Sequence, residues 1–316
     1  MKKIVYITGC LGFIGSYITR TCLKKGWYVK GIDKTTYVAN TDLLYEFKKY
    51  DNFSFINCDI NDIKFLYDCD YVINTAAETH VGNSIVNSED FIKSNIDGVH
   101  NLLELIRNYK HETSKIPILI HFSTDEVYGD IKEGAHTETD LLKPSNPYSA
   151  TKAAADMLIL AWARTYNLPY IIIRPTNNYG IGQYIEKFIP KAIKYLKLNR
   201  IMPIHDGGTP IRNWLHAADT ADAVITIINR EIKNEIYNVA GGFEQTNYDT
   251  IAKVIKLYNG SDDIESYLDL SYSRIGQDVR YALDDSKLRA LGWQPKMVFD
   301  EELPLIVEYY KNKFIW

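Results

Sequence analysis

The chain has 316 residues, with 36 Lys plus Arg against 40 Asp plus Glu and a net charge of −4, which suits one or two packed domains with a sizeable core. No Lys/Arg run is dense enough for a nucleic-acid footprint, and the slight acidity argues against an anionic membrane surface or polyanion as partner. A small-molecule ligand remains.

In chain order, KIVYIT, YVKGID, FSFINC, YVINTA, IPILIHF and PYIIIRP read as strands, separated by segments long enough for crossover helices. That alternation predicts an α/β fold on a doubly wound parallel sheet. Two intervening stretches, SEDFIKSNIDGVHNLLELIRNY and PYSATKAAADMLILAWARTYN, carry apolar residues at helical spacing and predict long helices whose apolar faces permit a dimer. After Arg174 the pattern breaks into short elements with Gly and Pro turns, HDGGTPIRNW and NVAGGFEQTN among them, which predicts a smaller C-terminal α/β domain for substrate binding. The opening MKKIVYITG enters a strand without an apolar leader core, and no apolar run approaches the roughly 18 residues of a membrane span. The expectation is a soluble cytoplasmic protein. Cys10, Cys22, Cys58 and Cys69 form no C-x-x-C pair and have no His at ligand spacing, so they read as free buried thiols, with no metal site, in a reducing compartment.

ITGCLGFIGS sets Gly9, Gly12 and Gly15 after the first strand and into a helix. Glycine there allows a tight turn and lets backbone N–H groups approach a pyrophosphate at the helix N-terminus. Asp33 ends the second strand, where a carboxylate accepts from ribose hydroxyls and repels a 2′-phosphate; NAD is favoured over NADP, although Lys34 follows at once. A turn cap is the other reading of Asp33. Asp59 lies at the next strand end, within reach of an adenine. The domain boundaries that follow are 1–175 for an NAD-binding Rossmann domain and 176–316 for the substrate domain, with 213–240 returning to the first.

HFSTDEVYGD places two carboxylates, Asp125 and Glu126, directly after a strand. Strand ends of such sheets are where ligands bind, so these acids are catalytic or else cap the following turn. PYSATK puts Tyr148 and Lys152 at i and i+4, on one helix face. A phenol with its usual pKa near 10 needs a cation close by to act as a base at neutral pH, and Lys152 can be that cation. A plain helix-face contact is the commoner reason for such spacing. The glycine motif and FSTDE ahead of it favour the catalytic reading.

With GIDKTTYVAN, AAETHV, STDEVYGD, NPYSATKAAAD, NNYG, EKFIP, IRNWL and LGW also present, the chain resembles the extended short-chain dehydrogenase/reductase enzymes that modify nucleotide sugars. Among them it is most similar to the nucleoside-diphosphate-glucose 4,6-dehydratases. The resemblance implies NAD held by Gly9, Gly12, Phe13, Ile14, Gly15, Asp33, Lys34, Asp59, Ile60, Ala76, Ala77, Tyr148 and Lys152. It implies that Tyr148 takes the carbon-4 hydroxyl proton, Thr124 holds the sugar oxygen, Glu126 removes the carbon-5 proton and protonated Asp125 donates to the leaving carbon-6 hydroxyl. A sugar nucleotide would meet His80, Thr124, Asn177, Glu186, Lys187, His205, Arg212, Asn247 and Arg274, the arginines serving either a diphosphate or structural salt bridges. The long helices would form a homodimer.

Three departures from the dTDP-glucose enzymes stand out. His205 occupies a position usually aromatic there, Gly82 and Asn83 replace two charged residues, and the insert common between VYGD and the tyrosine is absent, leaving lid details near residues 131–145 open. The first two lean toward UDP-glucose as substrate. A 4-epimerase or sugar-acid decarboxylase on the same scaffold needs neither acid, and a silent nucleotide-binding protein has no reason to keep Thr124, Tyr148 and Lys152.

Overall fold

The apolar runs become strands β1 (Ile4–Thr8), β2 (Tyr28–Asp33), β3 (Phe53–Asn57), β4 (Tyr71–Asn74), β5 (Ile118–Phe122) and β6 (Tyr170–Pro175) of a computed structural model that describes residues 2–112, 115–273 and 278–313. Shorter strands follow: β7 (Asn177–Tyr179), β8 (Met202–His205), β9 (Ile211–His216), β10 (Glu235–Val239), β11 (Phe243–Thr246) and β12 (Leu268–Tyr272). Seven of them form one parallel sheet in the order β3-β2-β1-β4-β5-β6-β10. The strand order reverses beside β1, and the crevice beyond the strand ends at that switch point is where such sheets bind ligands.

Pleating explains why these strands read as unbroken apolar runs. Val5 and Ile7 enter one core together with Ile18, Ile120 and Ile173, while Tyr6 enters the other with Val72, Leu119 and Ile172. Each fully buried aliphatic side chain contributes about 2 kcal/mol by leaving water. Helices Phe13–Lys24 and Ala217–Asn229 cover the first face, and Pro147–Tyr166 with its long neighbour cover the second. A third core, around Tyr179, Ile193, Trp214, Val254 and Phe299, belongs to the C-terminal part.

The neighbour is continuous but not uniform. Glu89–Ile92 passes through a π turn, Lys93–Asp97, into Gly98–Glu112. A Cβ on Gly98 would lie 2.1 Å from Ile60 Cδ1, so glycine here lets the Ile60 side chain pack directly on the helix backbone. The π turn carries Asn95 inward, where its amide exchanges hydrogen bonds with the Glu78 backbone and donates to Thr151 Oγ1 at 3.0 Å. Single π turns of this kind gather at functional sites.

Two expectations change here. Residues 213–216 belong to β9 in a small sheet ordered β11-β9-β7, so the return to the large sheet starts at Ala217, with the helix Ala217–Asn229 and β10. All four cysteines are free, but Cys58, just beyond edge strand β3, is only half-buried. Among the described residues no cluster could hold a metal, and no helix is long and apolar enough to cross a membrane.

Candidate active site

β1 ends at Thr8, and the chain turns at Gly9 with φ +70° before the helix starts at Phe13. A Cβ on Gly15 would lie 2.0 Å from Gly9 O. The glycines therefore let helix and strand end meet, and they leave a cradle that any side chain would fill. A continuous cleft opens over it. Its outer part is lined by Gly9, Gly12, Asp33, Lys34, Asp59, Ile60, Ala76 and Ala77, its inner part by Phe13, Ile14, Gly15, Ala77, Thr124 and Tyr148.

Asp33 Oδ2 accepts from Leu11 N at 3.0 Å and Oδ1 from Thr35 N at 2.9 Å. Burial pushes its carboxyl up, and these two amides and Lys34 pull it back. Each oxygen keeps a second lone pair for a ribose hydroxyl. Lys34 Nζ lies 3.5 Å from Asp59 Oδ2 and 3.8 Å from Glu78 Oε1, so its charge is answered by acids and offers little to a 2′-phosphate. The cleft fits a dinucleotide without that phosphate.

Beyond β5, Thr124 caps the tight turn Asp125–Tyr128, its hydroxyl oxygen accepting from Glu126 N at 3.3 Å. This turn sends the adjacent acids into different surroundings. Asp125 is buried; Oδ1 accepts from the Thr124 hydroxyl at 3.0 Å, and Oδ2 has no partner among the described residues. Burial, then the Glu126 charge, push its carboxyl up to about 7. Glu126 is half-buried, with Oε2 facing Asn146 Nδ2 at 3.3 Å and the Tyr281 hydroxyl at 3.5 Å. One acid can hold a proton while its neighbour is ionised, the division that acid and base roles need.

Tyr148 stands in the first turn of Pro147–Tyr166, a helix fixed by Pro147 at its start and by a reciprocal cap between Asn146 and Ser149. Burial, then the Glu126 charge, raise its phenol well above the usual value. Lys152 shares the helix face but makes no bond to the phenol among the described residues. Its ammonium donates to Phe122 O at 2.5 Å and lies 3.4 Å from His121 Nε2. Burial brings it down to about 8, with Asp156 opposing, so it remains charged at neutral pH from beneath the site. The expected phenol–ammonium contact is not made among the described residues, because the carbonyl at the end of β5 holds the ammonium.

The loop between β5 and the turn is held from below. Asp156 Oδ2 accepts from Arg174 Nε and Nη2 at 3.0 and 2.9 Å and from Ser123 Oγ at 3.0 Å, and Arg174 Nη1 donates to Tyr128 OH at 2.7 Å. Ser123 and Tyr128 flank the Thr124–Glu126 stretch, so one buried ion pair fixes both of its ends. Removing one partner of such a pair costs about 3–5 kcal/mol.

A second cleft meets the first at Glu126 and is lined by His80, Asn177, Glu186, Lys187, His205, Arg212, Asn247 and Tyr281. Lys187 Nζ donates to Thr79 O at 3.1 Å and Thr79 Oγ1 at 2.9 Å, and Tyr37 OH donates to Glu186 at 3.2 Å. These bonds tie Glu186 and Lys187 to Tyr37 and Thr79 across the cleft. Arg212 Nη1 donates to Ile211 O at 2.7 Å, and its guanidinium stacks 4.9 Å from the Tyr281 ring, leaving donors for a phosphate. His80 has a local task as well: Nδ1 accepts from Asn83 N at 3.1 Å and caps the helix Val81–Val86. Arg274 lies outside the described residues. Asn146 and Tyr281, both on Glu126, were not anticipated. Asn146 was legible as the cap ahead of PYSATK, whereas Tyr281 comes from a distant segment with no motif of its own.

The family model described as GDP-mannose 4,6 dehydratase matches residues 6–304. A dTDP-glucose 4,6-dehydratase of Haemophilus influenzae is 39% identical over 328 residues, covering 97% of this chain and 97% of that one. A trifunctional UDP-glucose 4,6-dehydratase/UDP-4-keto-6-deoxy-D-glucose 3,5-epimerase/UDP-4-keto-L-rhamnose-reductase of Arabidopsis thaliana is 36% identical over 325 residues, covering 99% of this chain and 48% of that one. Among solved structures, the dTDP-glucose 4,6-dehydratase DesIV from Streptomyces venezuelae, with NAD and TYD bound, superposes with a TM-score of 0.91 at 32% identity over 98% of this chain and 97% of that one. The chain therefore belongs to the GDP-mannose 4,6 dehydratase family, whose nucleotide-sugar dehydratases its motifs resemble.

Proposed function

We propose that the chain is an NAD-dependent hydro-lyase that converts a nucleoside diphosphate glucose to its 4-keto-6-deoxy product, with UDP-glucose the preferred substrate. The observation that carries this is the pair Asp125 and Glu126 at the junction of the two clefts, one buried with its carboxyl pushed up to about 7, the other held by donors. A 4-epimerase or decarboxylase has no use for that division.

Gly9, Gly12, Gly15 and Asp33 would hold NAD, which would supply a hydride acceptor for carbon 4 and a hydride donor for carbon 6. Tyr148 takes the carbon-4 hydroxyl proton while Thr124 Oγ1 keeps that oxygen in line. The ketone acidifies the carbon-5 hydrogen, which Glu126 removes. Asp125 gives its proton to the carbon-6 hydroxyl, which leaves as water. Glu126 then returns a proton to carbon 5. Lys152 supports the phenolate from below, and Arg212 with Asn247 faces the diphosphate.

For the nucleotide, His205 at the end of β8 and the uncharged Gly82 and Asn83 support uracil over thymine. Incubating the protein with UDP-glucose and dTDP-glucose in parallel, and following loss of one water by mass spectrometry, tests this. Faster turnover of UDP-glucose is expected; faster turnover of dTDP-glucose removes the preference, and water loss from neither removes the reading. We also read the two long helices as a homodimer face, since Ile92 and Met157 stand exposed on them. The four free thiols suit a reducing, cytoplasmic setting.

A further inference from the structure

Glu126 is the end of a chain of hydrogen-bonding groups that starts at Tyr281 on the wall of the second cleft and leads to the surface. The Tyr281 hydroxyl lies 3.5 Å from Glu126 Oε2 and is also bonded to Asp278 Oδ2. Ser145 Oγ donates to the same Asp278 oxygen. Tyr281 and Asp278 are buried, 3% and 4% exposed, whereas Ser145 is exposed. Three groups thus connect the carboxyl in the site to the protein surface, each both able to receive a proton and able to pass one on. The Asn146 amide, 3.3 Å from the same oxygen, donates only and offers no such passage.

We propose that Tyr281, Asp278 and Ser145 form a proton exit for Glu126, a reading that rests on the base role given to Glu126 above. Once Glu126 has become a carboxylic acid by taking the carbon-5 proton, it hands that proton to the Tyr281 oxygen while the phenolic hydrogen passes to Asp278. Glu126 is again a carboxylate, the phenol is still a phenol and Asp278 is now the acid. Asp278 then protonates the Ser145 oxygen as the serine hydrogen leaves to water. The same steps in reverse bring a solvent proton in. No electrons move. Tyr281 is therefore a relay acting through Glu126 rather than a catalytic residue, and what it governs is the origin of the hydrogen that returns to carbon 5.

The test is turnover in deuterated water, reading at early conversion, before the ketone exchanges by itself, both loss of water and deuterium at carbon 5 of the product. The wild-type protein is expected to deliver solvent deuterium to carbon 5. Tyr281→Phe breaks the relay while keeping the ring, and deuterium per turnover is expected to fall by about tenfold or more, whatever happens to the rate. Asp278→Asn, nearly isosteric and unable to take a proton, is expected to do the same, and stands in if Tyr281→Phe does not fold. A purely structural role for Tyr281 changes the rate but not the deuterium per turnover. Undiminished deuterium in a variant that loses water overturns the proposal, as does a wild-type product without solvent deuterium at carbon 5. Water loss in the same spectra separates these outcomes from failure of the dehydratase reading, which shows as no loss of water from either nucleotide and takes the relay with it.

Discussion

Glu126→Gln oxidises its substrate and then stops. The amide keeps the shape of the carboxylate and can stay beside Asn146 and Tyr281, so Tyr148 and Thr124 are undisturbed. What it cannot do is take the carbon-5 proton. Overall water loss is expected to fall by about a hundredfold to ten-thousandfold, the range for a lost acid or base, about 3–5 kcal/mol of barrier. Mass spectrometry of the quenched mixture is expected to show a sugar that has lost two hydrogens but kept its carbon-6 hydroxyl, in an amount limited by the enzyme. Glutamine enzyme that loses water at the normal rate takes the base role from Glu126 and, with it, the explanation of why two acids stand together.

Tyr148→Phe fails one step earlier. The phenol is buried beside the Glu126 charge and sits well above its usual pKa, so the protein has placed the base where forming its anion is hard. Lys152, brought down to about 8, shares the helix face but its ammonium is bonded to Phe122 O and lies beside His121. Phenylalanine removes the base without opening a cavity, and both ketone formation and water loss are expected to drop by about a hundredfold to ten-thousandfold. Calorimetry on the variant is expected to find sugar-nucleotide binding retained. Oxidation at a normal rate in the variant assigns the proton to another group, with Thr124 the nearest candidate.

The large sheet was legible because its inner strands β1, β4, β5 and β6 are buried on both faces and read as apolar runs, while edge strand β3, largely exposed, was legible from its aromatic and β-branched residues. The short strands were not. β7 is Asn-Asn-Tyr and β11 is Phe-Glu-Gln-Thr; three or four residues with polar side chains carry no periodicity to detect. The long helix was legible, but its π turn, Lys93–Asp97, carries no periodicity of its own to detect. In the site, glycine spacing, Asp33 and the Asp125–Glu126 pair stood out from local sequence. The direction of the Lys152 ammonium did not, since a backbone carbonyl at the end of β5 decides it, and neither did Tyr281, which reaches Glu126 from 155 positions away.

The central claim is that one enzyme molecule moves a hydrogen from carbon 4 to carbon 6 of a nucleotide-bound glucose while expelling water between the two steps. Nucleoside diphosphate glucose carrying deuterium at carbon 4 tests it directly, with the position of the label in the product read by nuclear magnetic resonance. The account predicts deuterium at carbon 6 of a product that has lost one water. Deuterium still at carbon 4 of a sugar that has kept its water, the outcome for an epimerase, contradicts it.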